Sequence, residues 1–217
     1  MAGYNPELRQ MMRIYPLNVT SAVKARHYIT AEVERNPRDS RLESWALKDR
    51  DGSAIILGQK CDPASLRHFL DKEVVDHIDL LNEARKSLGV LRPDHFSIEL
   101  KTRSFISNPQ QLELFDQFIE SGGFKSAGKY FLAPYVVIPS EASQQCFQIR
   151  EWGIYELLRK YEQSGKQISA SIILDALHIT NERDVYFVVG NLNQARTIWL
   201  VIKVFCFDKV CKQVAMF

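Results

Sequence analysis

The chain has 217 residues, 46% of them hydrophobic and 25% charged, with 28 basic against 26 acidic side chains. That length allows one large domain or two small ones around a buried core. The near-balance of charge excludes wholesale wrapping of nucleic acid, while leaving room for a local basic face. No stretch approaches about 18 uninterrupted apolar residues, which argues against a membrane-spanning helix, and the N-terminus lacks the basic-then-apolar pattern of a secretory signal.

The cysteines Cys61, Cys146, Cys206 and Cys211 show no CxxC pairing. They are read as reduced thiols of a cytoplasmic protein. Zinc on Cys206 and Cys211 lacks further ligands nearby, and neither a metal nor a cofactor is predicted.

In chain order, residues 1–13 are predicted as a short helix or a loose arm. Asn5 can cap, Pro6 suits a first helical position and Glu7 complements the dipole. Residues 1–26 are treated as a loosely attached arm of one domain spanning 1–217. From His27 to Arg35, Ile29, Ala31 and Val33 alternate with Thr30, Glu32 and Glu34, the pattern of a half-buried strand. Leu42–Lys48 and Ser53–Leu57 are predicted to pair as a hairpin across Asp49-Arg50-Asp51-Gly52, with Gly58 closing the second strand. Asp62 as N-cap and Pro63 as first residue open the clearest helix. Leu66, Phe69, Leu70, Val74, Ile78, Leu81 and Leu88 recur on one side of it, and Gly89 is placed to end it.

Asp94–Arg103 is a predicted strand. Asn108-Pro109 starts an amphipathic helix that Gly122-Gly123 stops. Lys129–Ile138 is strand-like, and Pro134 argues for an edge position or a bulge. A helix is predicted from Trp152 through Tyr161, closed by Gly165. Residues 168–180 fit two patterns. Ile168, Ala170, Ile172, Leu174 and His178 share strand parity, whereas a helix over Ser171–Leu177 leaves His178 at its end. Val185–Val189 and Arg196–Phe207 are predicted as a hairpin whose second strand is buried on both faces. This order of elements predicts an α+β fold, a mainly antiparallel sheet with helices packed on one face.

The strand at Asp94–Arg103 holds the densest set of reactive groups. Side chains alternate faces along a strand. His95, Ser97, Glu99, Lys101 and Arg103 therefore share one face, with Phe96, Ile98 and Leu100 on the other. A second His-x-hydroxyl triplet is His178-Ile179-Thr180. One imidazole can take a proton from an attacking hydroxyl or water while another protonates the leaving oxygen, because the ordinary histidine pKa lies near neutrality. A hydroxyl two residues along can hold a phosphoryl oxygen in line. Lys101 or Arg103 can add charge for a phosphate.

The paired triplets resemble those of the two-histidine phosphoesterase superfamily, the LigT-like cyclic phosphodiesterases. The resemblance covers roughly residues 54–207. It implies two related α+β lobes with both triplets on central strands facing one cleft. It also implies metal-independent cleavage of phosphodiester or cyclic phosphate bonds in RNA ends or nucleotides. It makes His95 and His178 the catalytic acid/base pair, and Ser97 and Thr180 the phosphate-orienting hydroxyls. Ile98 matches the apolar residue the family carries after the hydroxyl, and Asn181 departs from it.

Other readings stand beside this one. A histidine on a half-buried strand is most simply a satisfied polar group, and an alternating charged face is the solvated side of a sheet. Glu99-x-Lys101 is half of a metal-dependent nuclease pattern that needs a further acid from another strand. The second functional class is non-catalytic: a nucleic-acid-binding or scaffold subunit of a nucleoprotein or protein assembly. Its basic sets are Arg9, Arg13, Lys24 and Arg26 with Tyr15 and Tyr28, and Lys101, Arg103, Lys125 and Lys129. The partners expected are RNA or a nucleotide, and a protein meeting the apolar segment Val201–Phe217.

Overall fold

The computed structural model describes residues 1–15, 23–49, 52–102, 132–140 and 144–209. The predicted helix at Asn108-Pro109, with Arg103, Lys125, Lys129 and the last eight residues, lies outside them.

The first residues form a hairpin, not a helix or a loose arm. Strand β1 (Ala2–Asn5) pairs antiparallel with β2 (Gln10–Ile14). Asn5 turns the chain instead of capping a helix, because its Oδ1 accepts from Leu8 N at 2.8 Å. Arg9 completes the turn at φ 50°. Met11, Met12 and Ile14 are buried, and that burial draws the segment into a sheet.

The alternation across His27–Arg35 is divided between two strands, β3 (His27–Thr30) and β4 (Val33–Arg35). The hairpin predicted from Leu42 to Leu57 does not form. Strand β5 (Ser44–Leu47) pairs with β4 and β2, while β6 (Ile56–Lys60) pairs with β3. Gly58 lies inside β6, where a Cβ would sit 3.2 Å from Tyr28 O. Strands β1, β2, β5 and β4 make one four-stranded sheet.

The helix that Asp62 opens is short. Asp62 accepts from Ser65 N at 2.9 Å, and α1 covers Pro63–Asp71. The chain then forms β7 (Val74–Val75) and a second helix, α2 (Ile78–Glu83). Gly89 stops no helix. It lies in β8 (Leu88–Leu91), against Leu81 of α2.

Strand β9 (Ser97–Thr102) is followed by β10 (Leu132–Ile138) and β11 (Gln145–Ile149). β10 pairs with β9 from Leu132 and with β11 from Tyr135, so Pro134, opposite Leu100, sits just before the stretch that is paired on both sides. Helix α3 (Trp152–Gln163) ends near Gly165 at φ 65°, as its spacing predicts. Helix α4 (Ala170–Ala176) resolves the two patterns of 168–180 in favour of a helix. Strands β12 (Arg183–Asn191) and β13 (Trp199–Asp208) form the expected antiparallel pair. β12, not β13, is the more completely buried of the two. β13 pairs with β12 along its length and with β11 at Leu200 and Val201.

The large sheet has the order β7-β8-β12-β13-β11-β10-β9, and the fold is α+β with mainly antiparallel pairing. Parallel pairs are confined to β2/β5, β7/β8 and β11/β13 among the described residues. The large sheet cannot be flat. Five strand spacings of about 4.8 Å put β8 and β9 about 24 Å apart in a flat sheet. The six steps from Leu91 to Ser97 reach about 21 Å fully extended. The sheet therefore curls, and the Phe96 ring meets Phe187 of β12 edge-on, with centroids 5.0 Å apart.

Helices occupy both faces of this sheet, and not the single face predicted. Val185, Phe187 and Val189 of β12 enter one core with Ile78, Leu81, Ile154, Leu158 and Ile173 of α2, α3 and α4. Tyr186 and Val188 enter a second core with Leu70 of α1 and Met11 of β2. No helix among the described residues is long and apolar enough to cross a membrane.

Candidate functional site

His95 lies in the bend before β9, and Ser97 opens the strand. Phe96 turns inward onto the larger core, so His95 and Ser97 are exposed on either side of it. The second triplet has the same out-in-out pattern. Ile179 packs on that same core, while His178 and Thr180 are exposed.

His178 is not on a strand. Leu177 caps α4, and His178 follows with φ 56°. Its N–H donates to Asp175 O at 3.0 Å, and Ile179 N–H donates to Leu174 O at 2.9 Å. Those two bonds define a Schellman motif, which needs a left-handed residue where His178 stands. The helix forms because Ile173, Leu174 and Leu177 reach one core at helical spacing. Two facing strands, as the phosphoesterase resemblance implies, are therefore not what carries the triplets. Neither imidazole has a side-chain hydrogen bond among the described residues.

Lys101 is already engaged. Its Nζ lies 3.2 Å from Glu99 Oε2, donates to Cys146 Sγ at 3.1 Å, and sits 5.3 Å from the Tyr135 ring centre. The hydrogen bond to Cys146, with that to Glu99, pushes the Lys101 pKa up. Burial pushes the Tyr135 hydroxyl up. No three His, Cys, Asp or Glu side chains among the described residues group as a metal site.

A different group of residues builds a site. Helix α2 also ends in a Schellman motif. Arg85 takes the left-handed position at φ 52°, its N–H donates to Asn82 O at 3.0 Å, and Lys86 N–H donates to Leu81 O at 2.8 Å. The chain then enters β8 through Ser87. The β12 end brings Asn191 beside Ser87, and Asn191 N–H donates to Ser87 O at 3.0 Å. Arg196, from the β12–β13 connection, completes a cleft of about 110 Å³ lined by Asn82, Arg85, Lys86, Ser87, Asn191 and Arg196. Asn82 is held by Trp199, whose Nε1–H donates to its Oδ1 at 2.9 Å.

Behind the cleft, two buried acids and two arginines join the small sheet to the large one. Glu43 accepts from Ser87 N at 2.7 Å and from Ser87 Oγ at 2.9 Å. Arg13 donates to Ser87 Oγ at 3.2 Å and to Ser87 O at 3.1 Å. Arg41 pairs with Asp39 and donates to Asn191 O at 2.6 Å. Burial, then the neighbouring Arg41 charge, lowers the Arg13 pKa to about 10. Arg13, assigned to a basic surface from sequence, is thus part of this internal layer.

Asn191 is 6% exposed, and three of its four polar atoms or groups are satisfied. Its Nδ2 donates to Arg196 O at 3.1 Å. Its Oδ1 is buried with no partner. A buried acceptor left unmade costs roughly 1–3 kcal/mol.

These residues were hidden in the sequence by plain roles. Arg85 and Lys86 look like the solvated side of one long helix, Asn191 like a hairpin connector and Arg196 like the first residue of a strand. The signal available was a pair of cations, Arg85-Lys86, one residue before the apolar run Leu88–Leu91. The chain matches no family model, no curated protein and no solved structure.

Proposed function

We propose that this protein is a non-catalytic nucleic-acid-binding subunit that holds phosphate through the cleft between the end of α2 and the β12–β13 connection. One observation carries the reading: Arg85, Lys86 and Arg196 converge on one cleft, and among the described residues only Lys86 of the three has an acid partner, Glu73 at 3.2 Å. Arginines without a local counter-charge are suited to phosphate because the guanidinium offers two parallel donors. Such contacts position a strand and supply salt-sensitive affinity. Fluorescence anisotropy with a labelled single-stranded RNA tests it. Binding is expected for the wild type and a loss of about ten-fold or more for the double variant R85A/R196A. Equal binding by the two proteins would remove the cleft from the reading.

A second reading, metal-independent phosphodiester cleavage, draws on the shared out-in-out arrangement of the two triplets over one core. His95 and His178 would be acid and base, with Ser97 and Thr180 on the phosphate. It requires turnover of a 2′,3′-cyclic phosphate in EDTA that H95A and H178A each abolish. An inert wild-type protein ends that reading and leaves the first intact.

A further inference from the structure

Resting on the nucleic-acid reading, we infer that this cleft takes a terminal ribose phosphate, a phosphomonoester whose sugar hydroxyl donates to Asn191 Oδ1. Charge sets the phosphate type. Lys86 is paired with Glu73, which leaves Arg85 and Arg196 without acid partners among the described residues. The layer behind them balances, with Arg13 and Arg41 against Asp39 and Glu43. Two uncompensated cations match a phosphomonoester, which carries about −1.5 to −2 near neutrality. An internal diester carries a single negative charge.

Asn191 sets the second requirement. Its amide orientation is determined, because only Nδ2 can donate to Arg196 O. Its backbone N–H and C=O are bonded to Ser87 and Arg41. Oδ1 alone is open, and it can only accept. The dianion of a phosphomonoester has no donor to offer it, whereas the sugar hydroxyl beside it has. Oδ1 is shut off from solvent, so the hydroxyl reaches it by a rearrangement of the cleft wall, which Asn191 shares with the exposed Lys86 and Arg196.

Size agrees. A space of about 110 Å³ is below the roughly 300–1,000 Å³ of drug-sized pockets. It takes the phosphate and the hydroxyl-bearing edge of the sugar, and leaves the rest of the nucleotide outside.

Calorimetric titration of the full chain tests this with three probes: inorganic phosphate, ribose 5-phosphate and tetrahydrofurfuryl phosphate, which keeps the ring and phosphate without hydroxyls. Ribose 5-phosphate is expected to bind at least about ten-fold more tightly than either other probe, since a site built for a hydroxyl rejects the analogue lacking it. R85A/R196A is expected to weaken it at least as much. The ligand-side deletion needs no change at Asn191, so a folding defect cannot imitate the result. Equal affinity for the two sugar-ring phosphates overturns the hydroxyl contact while leaving the nucleic-acid reading standing. Failure of ribose 5-phosphate to bind, with RNA binding still dependent on Arg85 and Arg196, also overturns the inference. RNA binding indifferent to both arginines removes the reading beneath it.

Discussion

Asp39 is 7% exposed and accepts from Arg41 Nε at 2.9 Å and from Ser44 Oγ at 2.6 Å. Burial raises its pKa, but the bonds from Arg41 and Ser44 outweigh burial and hold the carboxyl down at about 2. The folded value lies below the ordinary 3.8, so ionised Asp39 favours the folded state. Its contribution is complete above pH about 4 and is lost as pH falls toward about 2. D39N is expected to cost roughly 3 kcal/mol at neutral pH, because Arg41 loses its buried partner. In urea denaturation, the gap between wild type and variant should narrow on acidification through that window. A gap that stays constant would show that Asp39 is not ionised in the fold. His178 poses the opposite case. It occupies a left-handed position that glycine adopts freely, so H178G should raise stability by about 1 kcal/mol in thermal melts. A lower melting temperature would mean that the imidazole makes a stabilising contact.

At the scale of elements, local signals located starts better than ends or partners. Asp62-Pro63 opens α1 because the cap needs nothing beyond Ser65 N. The helical stripe through Leu88 was misleading because Val74 and Val75 pair with β8, and Val90 N–H donates to Glu73 O at 3.2 Å. Those contacts come from residues about fifteen positions on, and periodicity does not encode them. The hairpin expected from Leu42 to Leu57 failed for the same reason. Each strand finds its partner in a different sheet. Gly89 was legible as a required glycine but not for its cause. A Cβ there would lie 2.4 Å from Leu81 Cδ1 and 2.8 Å from Cδ2. Leu81 is itself 1% exposed and has little room to move. G89A should therefore cost about 1–3 kcal/mol by overpacking. An unchanged urea midpoint would show that Leu81 can repack.

At the scale of the molecule, the α+β class and the β12–β13 pair were readable because alternation and apolar runs are local. The curled large sheet was not, since its closure depends on the short link from Leu91 to Ser97 and on Phe96 reaching Phe187. The same holds for the candidate site. His95 and His178 announce their chemistry by residue type, yet α4 takes the second off any strand. The cleft draws Asn82, Arg85, Lys86, Asn191 and Arg196 from two distant segments at the junction of the sheets. No spacing rule links them. The salt dependence of RNA binding, compared between wild type and R85A/R196A, tests the central claim most directly. Each phosphate contact contributes a slope of about −0.7 in log affinity against log salt for a single strand. The double variant should lose roughly 1.4 from that slope. Identical slopes would contradict phosphate binding by this cleft.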